Sequence, residues 1–432
     1  MIISSKFLLL TSILSSGTVT LANDDILLIT SNNLKEAWQP YADWRAETNK
    51  NVKIITTDEI AKLYTGPDIQ EKIRLCVREH IDTKNTKSII LGGDSLPQSK
   101  NEKTTPKNAG IIPDRDTIHI NMWGKKVDIP TDIYYISPTN WDADNDGIYG
   151  EFKDDHQAIT YPDGTIGIGR IPVRTAEDIK AYTNKVISYE SDYPSGDFGS
   201  SFAYTCTVPE AIPKLLTSWE EHISLAMPDA KLNRYFTPKA PWADHVLGKE
   251  APSSNTFTKI INSKSVGKLH LHGHGLQHCW VLDKHQEFTA KQVAKLNNKN
   301  AYPIITTVSC LTGYFDATKD PCIAESMLRT PNAGAIAVVA PSREGKPHFM
   351  NPQIEFAQMA HWGKMDGTTE TMTSFWEHGV GKNLTTGHSL MYTKAMLADR
   401  AKASPNFHMC ACEINLLGDP TLRVNPSHDK SK

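Results

Sequence analysis

Short apolar, β-branched runs alternate with amphipathic helical stretches along most of the chain, and this alternation restricts the fold more than any other feature. DDILLITS is followed by NNLKEAWQPYADWRAETNK, whose Leu34, Trp38, Tyr41 and Trp44 fall on one helical face; NVKIITT, DIQEKIRLCVREHID and KSIILGGD continue the pattern. Strands alternating with such helices predict an α/β fold with mostly parallel sheets flanked by helices. The pattern lapses where TDIYYISPTNWDADNDGIYGE and GTIGIGRIPV are extended and rich in turns, ahead of the helical TAEDIKAYTNKVISYESDYP. It restarts after DYPSGDFGSS, residues 192–201, which has the composition of a linker. FAYTCTV, IPKLLTSWEEHISLAM, GKLHLHG, TAKQVAKLNN, YPIITTVSC, CIAESMLRT and GAIAVVAP then alternate strand and helix. Two consecutive α/β subdomains are expected, residues 23–195 and 196–425, with INLLGDPTLRV closing the second and residues 426–432 as a tail.

Residues 1–22 read as a secretory leader: one lysine, an apolar run from Phe7 to Leu14, then small residues up to Ala22. That run is too short to span a bilayer, and no later stretch approaches about twenty apolar residues. The mature chain is therefore expected in the periplasm or the medium, without a membrane span. Lys plus Arg number 46 against 49 Asp plus Glu, and a net charge of −3 argues against a nucleic-acid partner. The cysteines are Cys76, Cys206, Cys279, Cys310, Cys322, Cys410 and Cys412, an odd set that in an exported chain predicts paired thiols with one left over, unless all are reduced.

The chemistry concentrates in the second subdomain. GKLHLHGHG is a strand that breaks at Gly273–His274–Gly275, and AYPIITTVSC is a second strand ending at Cys310. With TAKQVAKLNN between them they form a βαβ unit, so the strands are expected to be parallel and close together. Their carboxyl ends then share the sheet edge at which open α/β sheets place ligands. An imidazole on His274 there can assist a thiol nucleophile on Cys310. Gly275 allows close backbone approach, so its N–H and that of Cys310 can form an oxyanion hole. A cysteine ending a buried strand is, on the other hand, often only a small hydrophobe.

HGHG with CW beyond it, TTVSCLTGYFD and PCIAESMLR resemble the gingipain family of cysteine peptidases, whose fold is caspase-like. ILLITSNNLKEAWQPYADWRAETNKNVKI, IILGGD, GIGRIPVRTAEDIKAYTNKVISYE, GAIAVVAPS and NLLGDPTLRV are similar to further blocks of that family in the same order. The resemblance implies a cysteine-type endopeptidase acting on proteins or peptides, with Cys310 as nucleophile, His274 as general acid/base and no cofactor required for the chemistry. The family's glycine before the catalytic histidine favours His274 over the rival pair His272–Gly273. It also implies a glutamate that orients the histidine, for which Glu210 is the nearest match. Gingipains carry a prosegment and C-terminal modules, whereas here the similar blocks run from just after the leader to near Val424, so simple export is expected.

DADNDGIYGE alternates carboxylates and a glycine as a calcium loop does. Asp142, Asp144, Asp146, the Ile148 carbonyl and Glu151 are the candidate ligands of a structural Ca²⁺, although Glu151 stands at the tenth position of the loop rather than the twelfth. After the strand GAIAVVAP, Arg343 and Glu344 stand where related enzymes line the first specificity pocket; Glu344 favours a basic side chain and Arg343 an acidic one. Two other readings compete. His270, His272 and His274 share the period-two spacing of a metal-dependent hydrolase's ligands, and the same fold also suits a catalytically inactive binding protein.

Overall fold

The computed structural model describes residues 25–96, 111–120, 125–161, 163–207, 213–236, 252–283, 286–317, 320–345 and 367–426. The expected leader, residues 1–22, and Glu210 lie outside them. Strands without polar alternation bury both faces, as parallel strands under helices must. Strand β1 (Ile26–Thr30) is buried at every position, β2 (Val52–Thr56) only in part, and β3 (Ser88–Gly92) throughout. Strands β4 (Arg115–Ile120) and β5 (Lys126–Thr131) form an antiparallel hairpin, and β6 (Gly167–Ile171) returns to the sheet. The second half contributes β7 (Ser201–Cys206), β8 (Lys231–Phe236) and β9 (Lys268–His272). A ribbon of β10 (Gly275–Leu276), β11 (Cys279–Asp283) and β12 (Gln286–Thr289) follows, then β13 (Ile304–Thr307), β14 (Ala337–Pro341) and β15 (Ile414–Gly418).

Ten of these strands form one sheet in the order β2-β1-β3-β6-β15-β14-β13-β9-β7-β8. Strands of both expected subdomains thus share a sheet. Every neighbouring pair is parallel except β14 and β15, which are antiparallel. The sheet is therefore two parallel halves of opposite direction. β15, the last strand in the chain, runs parallel to β6 and sits between the two halves rather than at the far edge of the second.

Local sequence sets the helix limits. Pro40 in the first turn fits the start of the helix Gln39–Glu47, which follows two short 3₁₀ turns. The helix Ile69–Lys84 begins where Asp68 accepts a hydrogen bond from the Glu71 N–H and ends at left-handed Asn85. Thr175 and Asp178 form a capping box for Ala176–Ser191. TAKQVAKLNN yields only the helix Ala290–Val293. Asn298 bonds the backbone of Ala301 and Gly334, which holds the chain out of a longer helix.

The two ends of the chain are bolted together by buried charge. Arg45 is fully buried; it donates to both oxygens of Glu190 at 2.8 Å and to Asp419 at 2.6 Å, while Tyr41 donates to Asp419 at 2.7 Å. Buried charges persist only when paired and hydrogen-bonded, and this cluster satisfies both conditions. All seven cysteines are free thiols, six of them buried as small hydrophobes. The expected thiol pairs are absent. Among the described residues no helix is long and apolar enough to cross a membrane.

Candidate active site

β9 and β13 are adjacent and parallel, with His270 opposite Thr306 and Leu271 opposite Thr307. The Val308 N–H donates to the Leu271 carbonyl at 3.0 Å, so the two strands stay paired up to the point where both break. Period-two alternation puts Lys268, His270 and His272 on one face of β9. His270 is completely buried, its ring stacked on Trp219 at 5.2 Å, and its Nδ1 shares a 2.8 Å hydrogen bond with Thr306 Oγ1. Burial, helped by His272, holds the His270 imidazole well below the usual range, hence neutral. His272 is buried as well, and His274, two residues on, is exposed beyond the sheet edge. Among the described residues, the ligand atoms of these three histidines do not converge into a metal-binding group.

From His274 the chain leaves the sheet as the β10–β11 ribbon. The His274 carbonyl accepts from the Val281 N–H at 3.0 Å, and Gly275 faces Trp280. In an antiparallel ladder that makes Gly275 and Trp280 a non-hydrogen-bonded pair, so the Gly275 N–H points away from β11. It lies against the turn after β13. A Cβ on Gly275 would come within 2.5 Å of Thr312 Cγ2 and 2.8 Å of both the Cys310 carbonyl oxygen and Ser309 Cβ. Only glycine allows this approach.

The turn carrying Cys310 is heavily constrained. Ser309 N–H bonds Thr307 Oγ1 at 3.0 Å, Thr312 Oγ1 donates to the Ser309 carbonyl at 2.7 Å, and Leu311 N–H donates to the Arg343 carbonyl at 2.8 Å. Leu311 has φ +62°, a left-handed conformation costly for a bulky residue, directly after the candidate nucleophile. Cys310 is half-buried and its thiol donates to the Gly345 carbonyl at 3.5 Å. Burial first, and the negative charges of Glu413 and Glu344 second, push that thiol up to about 11. The resting group is a thiol, so it needs a base to become a nucleophile.

Arg343 and Glu344 do not pair with each other. Arg343 is buried in a two-pronged pair with Asp316 at 2.8 and 2.7 Å, donates to the Asp128 carbonyl and lies over the Tyr314 ring. Glu344 remains exposed near the thiol. Sequence reasoning did not single out Glu413 or Gly345. Glu413 directly precedes β15, and its carbonyl accepts from Ser342 N–H at 2.8 Å, which brings it to the edge holding Cys310. No motif signals that placement, because it depends on where β15 inserts.

In the acidic loop, Asp142, Asp144 and Asp146 bring carboxylate oxygens within 4.8 Å of one another. Gly147 follows with φ +82°, and the Ile148 N–H bonds Asp146 at 2.8 Å. Glu151 stands outside this group, 3.8 Å from Lys126 Nζ.

Comparison with known proteins gives the family and the fold. The family model described as peptidase family C25 matches residues 20–425. Lys-gingipain HG66 of Porphyromonas gingivalis is 23% identical over 325 residues, covering 73% of this chain and 15% of the relative's length. Lys-gingipain of a second Porphyromonas gingivalis strain is 22% identical over the same number of residues, again 73% of this chain and 15% of its own. This chain thus spans only a small part of these relatives. The crystal structure of the Arg-specific cysteine proteinase gingipain R superposes with a TM-score of 0.62 at 16% identity, over 93% of this chain and 78% of that one. The complex of the pro- and mature domains of Porphyromonas gingivalis RgpB gives 0.59 at 16% identity, over 92% and 79%. The mostly parallel α/β fold is that of the gingipains, and the chain belongs to peptidase family C25, whose cysteine chemistry requires no cofactor.

Proposed function

We propose that the protein is an exported endopeptidase that cleaves proteins or peptides with Cys310 as nucleophile and His274 as general acid/base. His274 takes the Cys310 Sγ proton, and the thiolate attacks the scissile carbonyl carbon. The oxyanion that forms is held by the Gly275 and Cys310 N–H groups. His274 then returns the proton to the departing amine, and water hydrolyses the acyl-thioester with His274 as base. The carrying observation is the packing of the Gly275 backbone on Ser309 and Cys310, which joins the two strand ends into one unit. Membership of peptidase family C25 supports the same reading. Glu210 remains the proposed partner that orients His274. The packing of His270 among Trp219, Tyr204 and Thr306 speaks against a histidine metal cluster.

The acidic loop suits a structural Ca²⁺ held by Asp142, Asp144, Asp146 and the Ile148 carbonyl. Hard carboxylate oxygens gathered before a left-handed glycine are a donor set for that ion. The ion supplies loop rigidity and takes no part in the chemistry.

Cleavage-site profiling against a peptide library, wild type beside Cys310→Ala, tests the reading. Cleavage that is lost in the variant and on iodoacetamide treatment is expected. Full activity in Cys310→Ala, or loss only on chelation, overturns it. Absence of any cleavage or of labelling by thiol-directed acyl probes leaves an inactive binding protein instead.

A further inference from the structure

A second cluster of chemistry-bearing side chains lies on the ribbon that follows His274. β11 and β12 pair antiparallel with Cys279 opposite Thr289, Trp280 opposite Phe288 and Val281 opposite Glu287. The register sorts these residues by face. Trp280 and Phe288 turn to the core, where both rings lie within 6.0 Å of Phe257 or closer. Cys279 and Glu287 stand diagonally on the opposite face. His278, in the turn just before β11, completes a group whose nitrogen, sulfur and oxygen donor atoms all lie within 4.8 Å of one another. We infer that His278, Cys279 and Glu287 form a binding site for a thiophilic divalent cation of the Zn²⁺ class.

Three observations carry this inference. The donor set is mixed: imidazole, thiol and carboxylate together suit Zn²⁺ and match neither Ca²⁺ nor Mg²⁺, which take oxygen ligands. Cys279 is completely buried and forms no disulfide, and its Sγ faces the Leu276 backbone N–H of the paired strand. His278 and Glu287 are exposed, so they can close over an ion seated on that thiol. Three protein ligands leave a fourth tetrahedral position for water.

Binding exchanges one bond for another. The Cys279 S–H bond breaks, its proton passes to solvent, and a sulfur–metal bond forms with no change of oxidation state. This site uses none of the groups assigned to peptide cleavage and stands independently of that reading.

Cys310 is also a soft ligand, so the test uses the full chain carrying Cys310→Ala. Zn²⁺ is titrated against a chromophoric chelator, and Co²⁺ serves as a spectroscopic probe. A single tight site per chain with a Co²⁺–thiolate charge-transfer band is expected. His278→Ala and Glu287→Gln alter exposed side chains and should preserve the circular dichroism spectrum while each weakens Zn²⁺ by more than about tenfold. Cys279→Ala should abolish the thiolate band. Absence of that band in the Cys310→Ala parent, or unchanged affinity in both exposed-residue variants, overturns the inference. Peptide cleavage by the wild type is a separate measurement, so either result leaves the peptidase proposal to its own test.

Discussion

The Gly275 backbone lies so close to Cys310 that a Cβ on the glycine would stand 2.8 Å from the Cys310 carbonyl oxygen. Adding one methyl group must therefore push apart the two strand ends that carry His274 and Cys310. Gly275→Ala is expected to keep the fold, because the ribbon can shift outward. It should lower kcat/KM by about a hundredfold or more, the usual effect of an ångström-scale displacement. Peptide cleavage beside thermal unfolding separates the two effects. Wild-type kinetics in this variant would show that the contact has no catalytic role.

The Cys310 thiol is held up at about 11, so in the free protein its thiolate fraction keeps rising as pH rises toward that value. Alkylation of Cys310 by iodoacetamide should accelerate steadily from pH 7 to 10 without a plateau. Glu344→Gln removes one charge that raises the thiol, so it should alkylate a few-fold faster at pH 8. A plateau near pH 6 would instead mean a preformed thiolate–imidazolium pair.

Arg45 and Asp419 form a completely buried pair, and removing one partner leaves the other charged in the core. Asp419→Ala should destabilise the fold by about 3–5 kcal/mol in urea unfolding. A cost below about 1 kcal/mol would mean that Glu190 alone satisfies Arg45.

Ca²⁺ should raise the unfolding temperature of the wild type, with a gain of about 2.7 kcal/mol at a hundred times the dissociation constant. Asp144→Asn should lose most of that gain, because it removes one of the three gathered carboxylates. Equal melting temperatures with Ca²⁺ and with chelator would reject the site.

Much of the fold could be read because it is written in local patterns. The βα alternation identified the parallel strands, and the expectation that the strands ending near His274 and Cys310 are adjacent and parallel matches the register observed. Histidine spacing alone misled toward a metal site. Period two says that His270 and His272 share a face, yet not that the face is packed with Trp219 and Tyr204. The insertion of β15 and the placement of Glu413 at that edge depend on pairings with strands far away in the chain. Arg45 reaching Asp419 is a contact of the same kind. Composition and periodicity carry no signal for such contacts, because a buried arginine and a surface arginine look alike until the partner is placed.

The position of β15 also sets an order of assembly. β6 and β14 run in opposite directions and cannot complete each other directly; each is paired by β15 from one side. A chain emerging amino end first, from a ribosome or a translocation channel, exposes both strands as open edges until residues 414–418 arrive. Glu413 takes its place beside Ser342 only in the same step. The proposed nucleophile and base precede β15 in the chain, but the sheet that holds them in place closes last, so the proposed activity is expected only after residues 414–418 have paired.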